Sequence, residues 1–183
     1  SSCIHSIFMH SPGLPIAAPM SPLEYQSVWD HFIDHDDPIY VSEHRRSFTS
    51  SIEMKNILQD EADISVFAIS ASRLNTIEAE KMLKEQNIKC NVFHLVWLKP
   101  FQPTEEMISS LKKTKLGLVI DSDFEITGAS RSIAYELMHQ AGVPVHALGL
   151  EDRVCGVAPN LENITPSPNK IVSSIKQYIQ KKG

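Results

Sequence analysis

The sequence predicts an α/β protein in which a mostly parallel sheet is covered by helices on both faces. Short apolar runs alternate with segments of about ten to fifteen residues that show helical periodicity. Consecutive parallel strands need a crossover of this length, usually a helix, to return the chain to the same edge of the sheet. Two such alternating series are separated by a polar stretch, so we expect a short first unit and a larger second unit.

Composition limits the functions that need to be considered. The chain has 183 residues, of which 42% are hydrophobic and 21% charged, and a formal net charge of -5 argues against nucleic acid or an anionic membrane as the main partner. It contains no run of eighteen apolar residues and no basic segment leading into an apolar core, so neither a transmembrane helix nor a signal peptide is expected. Cys3, Cys90 and Cys155 are odd in number and widely spaced, which favours neither a disulfide framework nor a metal site. We expect a reducing compartment, the cytoplasm.

The first unit shows one strand–helix–strand crossover preceded by a helix. The apolar spacing over residues 3–8 is typical of a helix already under way, from which we expect the chain to begin inside a folded domain. The predicted elements are a helix ending at Pro12-Gly13, a strand over 16–18, a helix from Ser21-Pro22 to His35, and a strand over 39–41. The second helix carries a broad apolar stripe composed of Leu23, Tyr25, Val28, Trp29, Phe32 and Ile33.

The second unit follows a polar, unperiodic stretch over 44–60 that predicts a linker between domains. Its predicted strands cover 64–69, 90–96, 116–120 and 145–148, and its predicted helices cover 74–86, 104–113, 128–140 and 168–181. Thr104 is the expected cap of the second of these helices, because two glutamates follow it in the first turn.

A series of short motifs runs along both units in a fixed order. They are His10-Ser11-Pro12-Gly13-Leu14, Ala18-Pro19, Asp36-Asp37-Pro38, Ser42-Glu43-His44, Ala62-Asp63-Ile64, Leu98-Lys99-Pro100-Phe101, Thr127-Gly128 and Gly149-Leu150-Glu151-Asp152. In order and spacing they resemble the thiamin-diphosphate-dependent enzymes of the transketolase type. The similarity is greatest to the beta subunit, or fused C-terminal half, of the 2-oxo acid (pyruvate or branched-chain) dehydrogenase first component. Each motif is weak alone, but their shared order covers nearly the whole chain.

The resemblance implies a domain organisation. Residues 1–43 would be the C-terminal remnant of a pyrimidine-binding domain, 44–60 the linker, and 61–183 a transketolase C-terminal domain. That domain is a three-layer sandwich with a five-stranded, mostly parallel sheet and one antiparallel strand. About 43 residues are too few to bury a core convincingly, which agrees with a remnant.

The resemblance also implies that the cofactor chemistry lies elsewhere. The full enzymes use thiamin diphosphate and magnesium, but the family's Gly-Asp-Gly diphosphate motif does not occur in this sequence. The activating glutamate belongs to an earlier strand, and a catalytic histidine would immediately precede Ser1. We therefore expect no catalytic and no cofactor-binding residue here, and no activity from this chain alone.

The resemblance suggests a few candidate site residues. His10 matches a recurrent histidine near the active site; the alternative is a helix-end histidine that orders the Pro12-Gly13 turn. The carbonyls of Phe32 and His35 and the side chain of Asp37 match a loop that can hold potassium. The alternative there is an acidic turn between helix and strand.

Three further groups of residues need an interpretation. Arg45 and Arg46 could bind a substrate carboxylate or phosphate, although a solvated linker is the simpler interpretation. Asp121-Ser122-Asp123 with Glu125 has the composition of a metal site, but we interpret it as a loop that caps the next helix. The spacing of His5 and His10 is poor for a metal pair on one helix face, and we interpret His94 and His139 as surface or satisfied core histidines.

The function implied is assembly of a 2-oxo acid dehydrogenase beta subunit. The expected partners are a second copy of the chain, an alpha subunit or fused N-terminal half, and an acyltransferase core. The C-terminal portion of 1-deoxyxylulose-phosphate synthase or transketolase is an alternative, although Ser42-Glu43-His44 fits the dehydrogenase strand better. A non-catalytic α/β interaction module is a third hypothesis.

Overall fold

The fold was analysed in a computed structural model, which describes residues 3–182. The first unit consists of α1 (His5–Phe8), β1 (Ile16–Ala17), α2 (Pro22–Asp34) and β2 (Tyr40–Val41), in the predicted order. β1 and β2 pair in parallel, with Ile16 opposite Tyr40 and Ala17 opposite Val41. The predicted crossover unit is therefore confirmed.

The second unit alternates strands and helices as predicted, with one strand in addition. Its elements are β3 (Ile64–Ile69), α3 (Ser72–Lys84), β4 (Cys90–Leu95), β5 (Trp97–Lys99), α4 (Glu105–Thr114), β6 (Gly117–Phe124), α5 (Ala129–Ala141), β7 (Val145–Leu150) and α6 (Pro168–Lys182). The hydroxyl of Thr104 accepts a hydrogen bond from the backbone N–H of Met107 at 3.2 Å, so the predicted cap of α4 is confirmed.

The strands form two sheets. The larger one has the order β4-β3-β6-β7 and is parallel throughout, and the smaller has the order β2-β1-β5. The α/β class with a mostly parallel sheet is thus confirmed, but the larger sheet contains four strands rather than the expected five. The antiparallel strand is β5, which pairs with β1 of the first unit, Ala17 lying opposite Trp97. The two units therefore share a sheet.

The four-stranded sheet is the middle of three layers. Along β3 the side chains alternate, so that Ile64 and Val66 enter one apolar core while Phe67 and Ile69 enter the other. The first core includes α3 and α6 through Leu83 and other side chains, and the second includes α4, α5 and β1. Each fully buried large apolar side chain in these cores contributes about 1.5–3 kcal/mol.

Helix α2 departs from the prediction in its packing. Ser21 and Pro22 open it as expected, but the buried Ser21 hydroxyl has no hydrogen-bond partner among residues 3–182. Instead, the carboxylate of Glu24 accepts a bond from the backbone N–H of Met20 at 2.8 Å. Only Val28 of the predicted apolar stripe is buried, and the rest of the stripe remains partly or largely exposed.

The stretch over 44–60 connects the units and follows the outer edge of the sheet for part of its length. It contains a short 3₁₀ turn (Arg45–Ser47), and Ile57 forms an isolated antiparallel bridge with Val92 of β4. The linker boundaries at 43–44 and 60–61 stay a prediction.

Within the described residues, no helix combines the length and the apolar character that crossing a bilayer requires.

Candidate functional site

A buried polar cluster joins the first unit to the end of β6. Nε2 of His5 lies 2.9 Å from Oδ2 of Asp121, and Nδ1 of His5 lies 3.0 Å from the hydroxyl of Ser42. His5 and Asp121 are fully buried and Ser42 is nearly so. The cluster therefore gathers three segments that are far apart in sequence: α1, the residue after β2, and β6.

The second carboxylate of β6 strengthens the same junction. Oδ2 of Asp123 accepts the backbone N–H of Ser6 at 3.0 Å, and it lies 3.9 Å from Nε2 of His5. The hydroxyl of Ser6 in turn accepts the backbone N–H of Ala129, the first residue of α5, at 3.0 Å. The interpretation of Asp121 and Asp123 as a loop that caps α5 is therefore wrong. Both lie within β6, and the bond to the start of α5 comes from Ser6.

The electrostatics of this cluster favour a charged histidine. Burial alone would lower the pKa of His5, but the charge and hydrogen bond of Asp121 and the charge of Asp123 outweigh it. The net result is a pKa raised above its ordinary value. Burial also raises the pKa of the nearby Cys3 thiol, to about 11, so Cys3 stays protonated and uncharged at neutral pH.

Ser42, His5 and Asp121 are hydrogen-bonded in the order hydroxyl, imidazole, carboxylate, as in a hydrolytic triad, but the arrangement does not suit hydrolysis. His5 is 0% exposed and Ser42 is 5% exposed, so a substrate cannot reach the hydroxyl. The arrangement instead fixes the position of α1 on β6.

A second junction connects α2 to the start of α3. The guanidinium of Arg73 is fully buried and binds the carboxylate of Glu24 through both terminal nitrogens, one of them at 2.7 Å. Burial alone would raise the pKa of Glu24, but the hydrogen bonds and charge of Arg73 lower it overall. Burial, assisted by the charge of Arg73, also lowers the pKa of His94 to about 4, so His94 is neutral at pH 7.

A cavity of about 600 Å³ lies between the C-terminal end of α2 and β5. It is lined by Pro15, His31, His35, Asp37, His94, Leu95, Val96, Trp97, Pro100, Phe101, Gln102 and Met107. The rings of His31 and His35 stack at 3.9 Å, and His31 meets the edge of Trp97 at 4.7 Å. The cavity is thus aromatic, with several imidazoles in its walls.

Two of the three residues of the predicted potassium loop lie beside this cavity. His35 and Asp37 line the cavity, and Nδ1 of His35 lies 2.8 Å from the carbonyl oxygen of His31. Phe32 is 43% exposed, and its ring packs against that of Trp29. The potassium loop stays a prediction.

The other candidate residues lie apart from both junctions. His10 is exposed in the turn after α1. Arg45 and Arg46 are exposed in the 3₁₀ turn, where Nη1 of Arg46 donates to Oδ1 of Asn75 at 2.9 Å. Their proposed binding roles remain predictions.

The sequence did not predict that His5 and Ser42 form a cluster with Asp121. It also did not predict that Arg73 binds Glu24. Asp121 and Asp123 could have been found, because they continue an apolar strand at its carboxyl end, where ligands bind in an α/β sheet. His5 gave no such signal, since its partner is 116 residues away.

The side chains described do not fit the magnesium-bound diphosphate that the resemblance implies for whole enzymes. Among residues 3–182, no three His, Cys, Asp or Glu side chains are grouped so that they could hold a metal ion. The carboxylates of Asp121 and Asp123 are buried and already accept bonds from His5 and from backbone N–H groups. Each of their four oxygens already accepts a hydrogen bond, so they do not form the oxygen cage that a hard cation requires.

Comparisons with known proteins agree with this architecture. The chain is 25% identical over 186 aligned positions to the pyruvate dehydrogenase E1 component subunit beta of Rickettsia conorii, covering 93% of this chain and 57% of that protein. It is 24% identical over 190 positions to the acetoin:2,6-dichlorophenolindophenol oxidoreductase subunit beta of Bacillus subtilis, covering 94% and 55%. The chain thus spans little more than half the length of these curated relatives.

Solved structures share the fold at lower sequence identity. A split-gene transketolase, described as an inactive beta4 tetramer, superimposes with a TM-score of 0.76 at 17% identity, over 96% of this chain and 60% of that one. The transketolase of Campylobacter jejuni gives a TM-score of 0.66 at 16% identity, over 94% and 27%. The family model described as "Transketolase, C-terminal domain" matches residues 54–171. This match spans more than half of the sequence, and the chain belongs to the transketolase C-terminal domain family.

Proposed function

We propose that this chain is the C-terminal portion of the beta subunit of a thiamin-diphosphate-dependent 2-oxo acid dehydrogenase, and that it positions and assembles the enzyme. The observation that carries the proposal is the similarity to pyruvate dehydrogenase E1 beta subunits, which extends over 93% of the chain and is not confined to the C-terminal domain. The acetoin oxidoreductase beta subunit supports the same branch.

In this proposal the chain contributes structure and holds no cofactor. Thiamin diphosphate would supply the reactive carbanion in the whole enzyme, with magnesium on its diphosphate. The proposal is supported by the carboxylates of β6, which are engaged with His5 and Ser6 rather than directed outward. Potassium at the loop of Phe32, His35 and Asp37 belongs to the same proposal, as does anion binding by Arg45 and Arg46.

The partners follow from the same argument. We propose a second copy of the chain, an alpha subunit or fused N-terminal half, and an acyltransferase core as the surroundings of this chain in the cytoplasm. The two junctions support an assembly role, because His5–Asp121 and Arg73–Glu24 hold the first unit in a fixed position on the C-terminal domain. A rigid pair of units is a suitable base for subunit contacts.

Purification of the tagged chain from its source organism tests the proposal. The expected result is co-purification with a partner that contains bound thiamin diphosphate. The assembly should reduce dichlorophenolindophenol when a 2-oxo acid is added, with the 2-oxo acid oxidised and carbon dioxide released. Chain that stays free of thiamin diphosphate and of partners would contradict the proposal and favour the non-catalytic interaction module.

A substrate comparison separates the enzyme alternatives. The same assembly should show no transfer of a two-carbon unit between sugar phosphates. Ketol transfer without 2-oxo acid oxidation would instead support the transketolase alternative. Formation of 1-deoxyxylulose phosphate from pyruvate and glyceraldehyde phosphate would support the synthase.

A further inference from the structure

The segment of residues 3–9 is fastened to β6 by two buried carboxylates. Nε2 of His5 lies 2.9 Å from Oδ2 of Asp121 and 3.9 Å from Oδ2 of Asp123. The carboxylate of Asp123 also accepts the backbone N–H of Ser6 at 3.0 Å. The side chains of His5, Asp121 and Asp123 are buried, so their charges interact with little screening by water.

His5 can keep both of its hydrogen bonds when it loses its proton. A neutral imidazole has one N–H, which can donate from Nε2 to Asp121, while Nδ1 accepts from the hydroxyl of Ser42 at 3.0 Å. The charge of the cluster changes instead. Within residues 3–182, His5 is the only ion-pair partner of Asp121 and Asp123, and burying two like charges without a cation is costly. Proton loss therefore favours a state in which water reaches the two carboxylates.

The other titratable side chains around this cluster do not replace the imidazolium. Burial raises the pKa of Cys3 to about 11. Burial, together with the charges of Cys3 and Asp123, also raises the pKa of Tyr40 in β2 above its ordinary value of 10.0. Both groups are uncharged at neutral pH, so of these side chains only His5 changes its charge there.

The thiol of Cys3 lies inside the same junction. Its Sγ is 3.5 Å from the hydroxyl of Ser70, and the residue is 7% exposed. Because only two positions separate Cys3 from His5, release of His5 from β6 also displaces Cys3. A thiol that reaches water regains a pKa of about 8.5 and becomes reactive.

We propose that His5, Asp121 and Asp123 form a proton-controlled latch. With the proton in place, the latch holds residues 3–9 on β6 and covers Cys3. Loss of the proton releases these residues locally while the four-stranded sheet stays folded, and Cys3 becomes a site for thiol-directed modification. The latch consists of buried contacts, so it depends neither on the proposed dehydrogenase function nor on what adjoins the outer surface of the first unit.

Cysteine labelling of the 183-residue chain measures this release. The chain is treated with iodoacetamide between pH 6.5 and 8.5, and peptide mass spectrometry follows the initial rates at Cys3, Cys90 and Cys155 separately. Each rate is divided by the rate in the urea-unfolded chain at the same pH, which removes the pH dependence of the thiols themselves. The normalised rate at Cys3 should rise about threefold or more over this interval.

Cys90 distinguishes local release from global unfolding. It is 1% exposed in β4, and its labelling requires the sheet to unfold. Cys3 should be labelled about tenfold faster than Cys90 or more at every pH. Dilute urea should accelerate labelling of Cys90 far more than that of Cys3, because urea acts in proportion to the surface exposed. Cys155 is exposed and serves as the reference for unprotected thiol.

Substitution of His5 tests whether its proton operates the latch. His5→Asn should raise the normalised rate at Cys3 about threefold or more at pH 6.5 and abolish its pH dependence, because an amide carries no charge. His10→Gln, at the exposed histidine after α1, is the matched control and should keep the parent profile. Both variants retain the α-amino group, which also titrates at about pH 8. Circular dichroism checks that each variant is folded.

Hydrogen exchange in the parent chain provides a measurement that needs no substitution. The amide of Ser6 donates to Asp123 and the amide of Ala129 donates to the hydroxyl of Ser6, both at 3.0 Å. After correction for the intrinsic rate at each pH, both amides should lose about threefold or more of their protection between pH 6.5 and 8.5. The amides of β3, in the middle of the sheet, should stay about tenfold more protected or more.

Three results would overturn the proposal. The first is equal normalised labelling of Cys3 and Cys90, which would mean that global unfolding exposes the thiol. The second is the parent's pH profile in His5→Asn. The third is protection of the Ser6 and Ala129 amides that does not change with pH.

Discussion

The imidazole of His5 is held 2.9 Å from the carboxylate of Asp121 although the two residues are separated by 116 positions in the chain. Neither side chain is exposed, so the contact exists only in the folded protein. It fixes α1 on β6, and the Arg73–Glu24 ion pair is a second buried contact between the units. The stability of the chain should therefore depend on both.

Removal of the His5 side chain should be strongly destabilising. His5→Ala leaves Asp121 buried without its charged partner and leaves a cavity at the junction, which should lower the free energy of unfolding by about 3 kcal/mol or more. Urea denaturation at pH 6.5 measures the change. His10→Ala is the matched control; because His10 is exposed, it should change stability by no more than about 0.5 kcal/mol. Equal effects of the two substitutions would contradict the assigned junction.

The same contact predicts that stability decreases as the pH rises above about 6.5, the ordinary pKa of histidine. His5 has a raised pKa in the folded protein, so its stabilising contribution is fully present below its unfolded pKa of about 6.5. The contribution decreases as the pH rises from the unfolded pKa through the folded pKa, because over this interval only the folded state still binds the proton. His5→Asn should remove this decrease of stability with pH. The measurement is the free energy of unfolding from pH 6 to 9, and an unchanged slope in the variant would be inconsistent with a charged His5.

The pKa of His94 predicts a loss of stability as the pH is lowered. Its pKa is lowered to about 4, first by burial and then by Arg73, so the unfolded chain takes up a proton between pH 6.5 and 4 that the folded chain does not. Stability should fall over this interval by about 3 kcal/mol. His94→Phe should reduce that fall, whereas His139→Gln, at an exposed residue, should leave it in place. An acid limb that is the same in His94→Phe and in the parent would exclude His94 as its source.

In a double-mutant cycle, removal of Glu24 should lower the free energy of unfolding more than removal of Arg73 does. Glu24→Gln leaves a fully buried guanidinium without a counter-charge, and should cost about 3 kcal/mol or more. Arg73→Met should cost less, because the Glu24 side chain is 17% exposed and retains some solvation. The double variant should lose less stability than the sum of the singles. Strict additivity in urea denaturation would show that the pair is not coupled.

Thiamin diphosphate with magnesium should not stabilise the isolated chain. A ligand raises the unfolding temperature only if the folded state provides a site, and a site saturated a hundredfold above its dissociation constant would add about 2.7 kcal/mol. Differential scanning fluorimetry at millimolar cofactor should therefore show no shift, while a complete thiamin enzyme run in parallel should shift upward. A shift in this chain would show that it contains a cofactor site and would contradict the proposal that it holds no cofactor.

Local sequence patterns were sufficient for the secondary structure of the second unit except β5, because each of the other elements has a strong local cause. Ile64–Ile69 is a continuous apolar run that must be buried on both faces, and Thr104 supplies its own cap to α4. β5 was missed because three residues beside Pro100 carry too little pattern, and its partner β1 lies in the other unit. The fold class was therefore predictable, but the sheet to which the antiparallel strand belongs was not.

The sequence by itself determined the alternation of strands and helices, the order of family motifs and the absence of Lys and Arg from residues 1–44, since these depend only on neighbouring residues or on counting. Only the tertiary structure decided the roles of His5, Asp121 and Asp123. The physical reason is distance along the chain. A buried ion pair is defined by the residues that pack around it, and those residues come from segments that no local periodicity connects.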